Sequence, residues 1–377
     1  MRPEPLRALL AGGGTAGHVA PLLSLADCLG RRDPATEVLV LGTAEGLEAR
    51  LVPERGYPLA VVPRVPLPRR PSADLARLPG RLRAAVRAAE AAIDQVGADV
   101  VVGFGGYVAT PAYLAARRRR LPVVVHEQNS RPGVANRLGA RWARAVAVTF
   151  PGTPLRGAVR TGLPMRTEIT GLDRAAHRAE ALARFGLDDR RPTLLVFGGS
   201  LGAARLNSAL PAAAADLAEA GVQVLHVSGQ GKEFASPALP GGPAYVVVPY
   251  LDRMDLAYAA ADAVVCRAGA GTVCEVTALG LPAAYVPLPI GNGEQRLNAE
   301  PVVAAGGGLM VDDAGCDAGW VRRELVPFLA DPGRLAAAGR AAAGFGVLDG
   351  DERLADLVLA AAGVRPGDAG PAVGPAG

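Results

Sequence analysis

Short apolar runs that end in glycine or turn residues alternate with helix-like stretches along almost the whole chain. The apolar runs cover residues 6–11, 38–42, 100–103, 123–126, 194–198, 222–227, 263–267 and 283–287. The stretches between them have apolar residues at helical spacing, as at Leu82, Val86, Ala89 and Ile93. Strands that alternate with helices in this way are typical of parallel sheets covered by helices, so the sequence predicts an α/β fold.

A domain boundary is predicted near residue 165. The chain has 377 residues, half of them apolar, which is enough for two cores of ordinary size. The segment TGLPMR at 161–166 interrupts the alternation with Gly and Pro. The charge changes at the same place: 23 arginines face 12 acidic residues up to Met165, and 17 basic face 24 acidic residues after it. We therefore expect domains over 1–165 and 166–340, each a doubly wound, Rossmann-like parallel sheet, with ligand bound in a cleft between them. The Pro/Gly-rich end, 365–377, is expected to be disordered.

Several classes of protein are disfavoured by composition. No apolar run approaches the ~18 residues that a membrane-spanning helix needs, and the amino end fits no signal peptide. The four cysteines are far apart and form no CxxC pair, so we expect free thiols in a reducing cytosol rather than disulfides or a zinc site.

The first glycine-rich loop, GGGTAGH at 12–18, lies directly between a predicted strand and a predicted helix. Glycines allow a tight turn there, and the free N–H groups of a helix start favour an anion. The loop formally satisfies G-x-G-x-x-G, which keeps an NAD-binding oxidoreductase as an alternative. That alternative needs an acid at the end of the second strand, which instead ends in Gly42-Thr43, with Glu45 already past the turn.

Two further loops of this kind follow strands in the second half, at 198–202 (GGSLG) and 267–272 (RAGAGT). Each alone is weak evidence, but three in one chain indicate phosphate groups approached from both halves. Glu275 follows Thr272 by three residues, so it could be the acidic partner of a capping box or a carboxylate that binds ribose hydroxyls.

Two polar or glycine-rich segments end strands in the first half: HEQN at 126–129 and GFGGY at 103–107. Both lie where parallel sheets bind ligands. The polar side chains of the first could bind substrate or cap the next helix, and the second offers N–H groups to an anion. His177 and His226 show no partner pattern and are interpreted as a surface and a core histidine.

Seven arginines and one aspartate lie between Arg64 and Arg87, interleaved with Pro66, Leu67, Leu75, Leu78 and Leu82, and Arg117 to Arg120 add four more. Such a run is usually a solvated face. Arginine mixed with leucine also suits the surface of an anionic membrane, whereas nucleic acid is less favoured because aromatic residues are missing from the run.

Taken together, these segments resemble the MurG family of peptidoglycan N-acetylglucosaminyltransferases. The resemblance runs in order through GGGTAGH, GFGGYVATP, HEQNSRPGVANRLGA, GGSLGAARLN, CRAGAGTVCEVTALGLPAAYVPLP and GNGEQRLNAEPVV, from about Ala8 to Val311. It implies a glycosyltransferase-B fold and inverting transfer of N-acetylglucosamine from UDP-N-acetylglucosamine to lipid I, giving lipid II. It also implies that the first domain binds the acceptor at the cytoplasmic face of the membrane, and that a terminal helix over 341–364 returns to it.

The resemblance assigns roles to individual residues. His18 is the expected catalytic base or diphosphate contact, with Glu127 as the rival base. The residues expected to bind UDP-N-acetylglucosamine are Thr15, Ala16, Gly17, Asn129, Arg166, Ser200, Leu251, Ala270, Gly271, Thr272, Val273, Cys274, Glu275 and Gln295, with Glu294 as a further possibility. The residues expected to meet the acceptor diphosphate are Gly14, Gly105, Gly106 and Tyr107.

Three positions depart from the family pattern: Leu163 replaces a common Asn, Cys274 a common Ser and Glu294 a common Gln. Because no Asp-x-Asp motif lies in the glycine-rich loops or at the other predicted strand ends, we expect no metal and no cofactor. Loop N–H groups are expected to stabilise the departing UDP. A related glycosyltransferase acting on another glycolipid or a secondary metabolite, and a non-catalytic module that binds a nucleotide sugar, remain as alternatives.

Overall fold

A computed structural model of the protein describes residues 5–65, 73–199 and 202–364, except for the side chains of residue 16 and residues 73–77. Ser200, the arginine-rich positions 66–72 and the expected disordered tail at 365–377 lie outside the described residues. The chain divides into two compact units, Met1–Arg166 with Asp349–Gly377, and Thr167–Leu348.

The first unit contains a sheet of seven parallel strands in the order β3-β2-β1-β4-β5-β6-β7. The strands are β1 Arg7–Ala11, β2 Glu37–Gly42, β3 Leu59–Val61, β4 Val100–Gly103, β5 Val123–Glu127, β6 Ala145–Val148 and β7 Ala158–Arg160. The helices are α1 Ala16–Arg32, α2 Glu48–Glu54, α3 Ala73–Val96, α4 Gly106–Arg119, α5 Val134–Gly139 and, from the end of the chain, α16 Gly350–Ala362. The sequence builds outward from β1 to β3 and then returns to the other side of β1, so the topological switch point lies between β1 and β4.

Both faces of this sheet are buried. One core packs α1 and α16 against the sheet, through residues such as Leu22, Leu25 and Leu354. The other packs α3 and α4, where the predicted helical spacing places Val86, Ala89 and Ile93 in the core. Burial on both faces explains why the central strands consist almost entirely of Val, Leu and Ala.

The second unit repeats the architecture with six parallel strands in the order β10-β9-β8-β11-β12-β13. The strands are β8 Thr193–Phe197, β9 Gln223–Val227, β10 Tyr245–Val248, β11 Ala263–Cys266, β12 Ala283–Tyr285 and β13 Gly308–Met310. The helices are α6 Thr167–Thr170, α7 Arg174–Phe185, α8 Ala204–Ala212, α9 Ala214–Glu219, α10 Met254–Ala260, α11 Ala270–Ala278, α12 Glu294–Ala304, α13 Ala318–Trp320, α14 Val326–Leu329 and α15 Pro332–Phe345. By the same argument, its switch point lies between β8 and β11.

The terminal segment differs from the prediction of one helix over 341–364. It consists of the end of α15, in the second unit, and α16, in the first. Glycines at both sides of the break allow close packing: Gly346 lies against the backbone of Ala278, and a Cβ at Gly350 would be 2.6 Å from the Leu163 carbonyl oxygen. Leu163 itself is buried.

An ion-pair network ties α16 to α1. Arg31 pairs with Asp351 at 2.7 Å, and Arg32 pairs with Asp356 at 2.6 Å and with Glu352. The buried Cys28 Sγ donates to Glu352 at 3.2 Å. Cys28, Asp351 and Glu352 come close enough together to hold a metal ion, but arginines already neutralise both carboxylates, and burial raises the pKa of the thiol. The cluster is therefore best explained as a structural contact between two helices.

In the part of the chain that the structure describes, no helix combines the length and hydropathy needed to cross a membrane. All four cysteines are free, as expected.

Candidate active site

The two glycine-rich loops of the first unit meet at its switch point, because β1 and β4 are paired neighbours. The loop after β1 leads into α1, and the loop after β4 leads into α4. Gly106, with φ +74°, lies so close to the first loop that a Cβ there would stand 2.5 Å from the carbonyl oxygen of Gly13. Open α/β sheets bind ligands at this position, at the carboxyl ends of the strands.

This close approach gives a testable prediction. Gly106→Ala is expected to destabilise the protein by about 2–4 kcal/mol, because it combines an unfavourable positive φ with a collision against backbone. Gly56→Ala is the matched control, since Gly56 has a positive φ of 84° but open space around its Cβ position. Urea unfolding should show a distinctly larger loss for Gly106→Ala; equal losses would mean that the two loops are not in contact.

His18 lies in the first turn of α1, beside the second loop. Its Nδ1 is 2.9 Å from Thr15 Oγ1, and a Cβ at Gly105 would be 3.3 Å from its Nε2. Burial lowers the pKa of His18, an effect opposed by the backbone of Gly13 and the charge of Glu48. The imidazole is therefore neutral at neutral pH, and either tautomer leaves one ring nitrogen able to accept a proton.

Both carboxylate oxygens of Glu127, the rival base, accept hydrogen bonds from the loop that follows β5. Oε1 accepts from the N–H of Asn129 at 3.0 Å, and Oε2 accepts from the N–H of Gly133 and from Nδ2 of Asn136, each at 2.9 Å. The side chain is 2% exposed, and burial raises its pKa even though these bonds favour the charged form. Asn136 also accepts from the buried Tyr113 hydroxyl at 2.8 Å. This arrangement favours a structural role for Glu127 and leaves His18 as the better candidate base.

The other side chains of the HEQN segment join neighbouring segments. His126 Nε2 contacts the carbonyl oxygen of Gly162 at 3.0 Å, and Gln128 Nε2 donates to that of Phe104 at 2.6 Å. Both side chains are buried, and burial lowers the pKa of His126 to about 4, so it is neutral. Within this segment, Asn129 is the residue left half-buried at the surface.

The expected role of Gly14 in binding the acceptor diphosphate stays a prediction. Its N–H donates to Oε2 of Glu48 at 2.9 Å, so it is not available to a phosphate in this conformation. No sequence signal points to Glu48, which lies six residues beyond the end of β2 and three beyond Glu45.

A small pocket of about 80 Å³ opens beside the first loop. It is lined by Gly13, Gly14, Thr43, Glu45, Gly46, Arg64, Tyr107 and Val108. The Arg64 guanidinium stacks 5.3 Å from the centroid of the Tyr107 ring, which is 40% exposed. Of the four residues expected to meet the acceptor diphosphate, Gly105, Gly106 and Tyr107 thus remain candidates, at the start of α4.

The start of α11 forms the corresponding junction in the second unit. The cap residue is Gly269, and the first intrahelical bond runs from Val273 N–H to the Gly269 carbonyl oxygen. The N–H groups of Ala270, Gly271 and Thr272 therefore precede that bond and form the positive end of the helix. Val273, in contrast, is fully buried and its N–H is used within the helix. Its expected contact with UDP-N-acetylglucosamine stays a prediction.

Glu275 is not part of a capping box, because the cap lies at Gly269 rather than at Thr272. Its side chain is half-buried one turn into α11, and its Oε2 accepts from the Tyr258 hydroxyl at 2.8 Å. Tyr258 is fully buried, so it holds the carboxylate from the interior side. Cys274, beside it, is half-buried.

Gln295 and Glu294 begin α12 with different roles. Gln295 Oε1 accepts from Ala268 N–H at 3.1 Å and from Leu288 N–H at 3.0 Å, which joins the loops after β11 and β12. Its oxygen is thus used internally, and its amide nitrogen is the end that can meet a sugar hydroxyl. Glu294 accepts from Asn292 N–H at 2.8 Å and so stabilises its own loop.

The loop after β8 is supported by a buried polar network. Gly202, with φ +65°, packs on the carbonyl oxygen of Ser228, which also accepts from Asn207 Nδ2 at 2.9 Å. His226 Nε2 lies 3.0 Å from Asn207 Oδ1, and its Nδ1 lies 2.9 Å from the Tyr245 hydroxyl. His226 is fully buried, which confirms it as a core histidine, whereas His177 is half-buried on α7.

The remaining expected site residues have less distinctive surroundings. Thr15 and Gly17 are exposed at the start of α1, Arg166 is half-buried at the end of the first unit, and Leu251 is half-buried in the loop after β10. Arg267, in the glycine-rich loop after β11, is 9% exposed and pairs with Asp313 at 2.6 Å.

Comparisons with known proteins agree with this architecture. The family models for the N-terminal and C-terminal domains of glycosyltransferase family 28 match residues 8–148 and 193–354. A protein of Nocardioides sp. named UDP-N-acetylglucosamine--N-acetylmuramyl-(pentapeptide) pyrophosphoryl-undecaprenol N-acetylglucosamine transferase is 62% identical, over 94% of this chain and 98% of its own. A protein of the same name from Streptomyces avermitilis is 57% identical, over 96% and 99%. The crystal structure of Acinetobacter baumannii MurG has a TM-score of 0.77 at 29% identity, over 94% and 100%.

Proposed function

We propose that this chain, which belongs to glycosyltransferase family 28, transfers N-acetylglucosamine from UDP-N-acetylglucosamine to the 4-hydroxyl of the N-acetylmuramyl group of lipid I, giving lipid II. The observation that carries the proposal is its 62% identity, over nearly the whole chain, to a relative named for this transfer. The geometry supports it, because glycine-rich junctions between strand and helix lie at both topological switch points.

The proposal assigns the donor to the second unit. The N–H groups of Ala270, Gly271 and Thr272 would stabilise the charge that builds on the departing diphosphate, and the Glu275 carboxylate would accept from the ribose hydroxyls. Gln295 would direct its amide nitrogen to the transferred sugar. Preorganised donors of this kind need no rearrangement during the reaction, since Gln295 and Tyr258 already fix the loops and the carboxylate.

The proposal assigns the acceptor and its base to the first unit. His18, kept neutral by burial, would take the proton from the sugar hydroxyl as that oxygen attacks the anomeric carbon. The bond to UDP breaks on the opposite face of the sugar, so the configuration inverts. Gly105, Gly106 and Tyr107 would hold the acceptor diphosphate at the start of α4.

A transfer assay with purified components tests the proposal. Labelled UDP-N-acetylglucosamine and lipid I should give a labelled lipid product, whereas UDP-glucose should not replace the donor. Transfer to soluble aglycones, with none to lipid I, would indicate a secondary-metabolite enzyme. Binding of UDP-N-acetylglucosamine with no transfer to any acceptor would indicate a binding module, and thermal stabilisation by NAD alone would indicate an oxidoreductase.

The acceptor carries a long lipid, and we propose that the first unit binds to the cytoplasmic face of the membrane. Its excess of arginine supports this. Part of the basic surface is already neutralised, because Arg118 pairs with Glu90 and Arg119 with Asp94. Arg83 and Arg87, on α3, are exposed.

Reversing Arg83 and Arg87 to Glu is expected to weaken binding to anionic vesicles by at least roughly 30-fold, because each arginine removed costs about 1 kcal/mol and each glutamate added is repelled. Reversing the exposed Arg184 and Arg323 of the second unit gives the same change in net charge and should have little effect. Vesicle flotation at low and high salt measures both variants, and equal losses would contradict a membrane face on α3.

A further inference from the structure

Glu48, the first residue of α2, is a buried carboxylate to which the proposed reaction gives no role. Its side chain is fully buried, although it lies only six residues beyond the end of β2. Three glycines from two segments surround it: Gly13 in the loop after β1, and Gly42 and Gly46 in the connection from β2 to α2. A Cβ at any of the three would collide with the glutamate side chain, so the backbone closes around this one group.

The carboxylate is fully engaged with hydrogen-bond donors. Oε2 accepts from Gly14 N–H at 2.9 Å, and Oε1 accepts from the N–H and hydroxyl of Thr43 at 2.9 and 2.7 Å. Burial alone would raise the pKa of Glu48, but these bonds outweigh it and lower the pKa, so the group is charged at neutral pH. A buried charge with three donors is a rigid anchor for the loop that it holds.

A continuous series of short contacts connects this anchor to His18. Gly14 precedes Thr15, whose carbonyl oxygen accepts from His18 N–H at 3.1 Å and whose hydroxyl lies 2.9 Å from His18 Nδ1. The negative charge of Glu48 also raises the pKa of His18 against the effect of burial. The other titratable groups on the elements around His18 are Glu45, Arg64 and Tyr107 at the pocket, and Glu127 at the end of β5.

We propose that Glu48 is a positioning residue for the transfer reaction, which fixes the first glycine loop through Gly14 and so holds His18 in place as the base. The inference rests on the proposed function. It differs from a purely structural role, because a carboxylate that only stabilised the fold would leave kcat per folded molecule unchanged in Glu48→Asp, which keeps the charge beside His18.

Glu48→Gln tests whether Glu48 positions His18 or only stabilises the fold. A glutamine can keep its oxygen toward the two Thr43 donors, but its amide nitrogen then faces the Gly14 N–H, so the variant releases Gly14 and removes the charge. Thr43→Val is the matched control, since it removes one hydrogen bond to Glu48 but leaves the charge and the Gly14 contact. Glu48→Asp, which keeps the charge but is one methylene too short to reach both loops, serves if Glu48→Gln does not fold.

The decisive readout is the pH titration of the histidine ring signals by NMR on the full chain. The chain has four histidines, and the His18 signal is identified by its loss in His18→Gln. In Glu48→Gln, the pKa of His18 should fall below the wild-type value, and kcat should fall roughly 10–100-fold with an unchanged KM for UDP-N-acetylglucosamine. Glu48→Asp should show the loss in kcat, and Thr43→Val neither effect.

Two results would overturn the inference: a wild-type His18 titration and kcat in Glu48→Gln, or a Thr43→Val variant with the same loss of kcat. Failure of the proposed function looks different. The wild-type protein would then transfer no sugar, while the coupling between Glu48 and His18 would still be measured by the titration.

Discussion

His18→Gln is expected to lower kcat about 10²–10⁴-fold, the usual contribution of a general base, with little change in the KM for UDP-N-acetylglucosamine. The reason is that His18 carries a neutral imidazole at the junction of the two glycine-rich loops of the first unit. Single-turnover measurements with saturating lipid I would isolate the chemical step. Urea unfolding of the variant measures its stability, so that a loss of kcat is separated from a loss of folded protein.

The same assignment fixes the direction of the pH dependence. A base acts in its neutral form, and burial lowers the pKa of His18 below its usual value of about 6.5. The rate should therefore be constant near neutral pH. It should fall only when the pH drops through the lowered pKa of His18, which lies below 6.5. His177→Gln is the control, since His177 lies on α7 in the second unit and its Nδ1 is 2.9 Å from the carbonyl oxygen of Asp173 at the start of the same helix. Normal turnover in His18→Gln, or an equal loss in both variants, would reject His18 as the base.

Glu275→Ala should raise the KM for UDP-N-acetylglucosamine roughly 10–100-fold while the KM for lipid I stays the same. A hydrogen bond to a charged group is worth about 1.5–3 kcal/mol, and the carboxylate is proposed to accept from the ribose. Binding of UDP, followed by calorimetry, should weaken to a similar extent, because the ribose is part of UDP as well.

The matched control for this prediction is Tyr258→Phe. Tyr258 donates to Glu275 at 2.8 Å, so the variant removes the internal partner but leaves the carboxylate in place. If Glu275 binds the ribose, Tyr258→Phe should affect donor affinity much less than Glu275→Ala does. If the two variants lose the same affinity, Glu275 serves only to hold Tyr258.

The central strands of both sheets could be predicted from sequence because burial on both faces leaves a continuous apolar run, as in Val100–Gly103 and Thr193–Phe197. Four of the five strands that were missed, β3, β7, β10 and β13, lie at the edges of the two sheets. Three of these have only three residues, which is too short for any periodicity to show. The fifth, β6, has the sequence AVAV, and its two alanines favour a helix over a strand in a prediction from sequence.

The site was predicted less completely than the fold. Glycine-rich loops after strands are visible in sequence, and the structure places them at the two switch points. Contacts between distant segments are not visible: Glu48 reaches back 34 residues to Gly14, and Gln295 joins two loops by its oxygen. Residue type alone could not separate Glu127, held by its own loop, from His18, because the difference lies in the hydrogen bonds that each makes.

The most direct test of the donor assignment is a crystal structure of the full chain with UDP bound. Our account predicts that the diphosphate oxygens lie within hydrogen-bond distance of the N–H groups of Ala270, Gly271 and Thr272, and that the ribose hydroxyls contact Glu275. A nucleotide bound instead to the first glycine-rich loop, near Gly14, or away from α11 altogether, would contradict it.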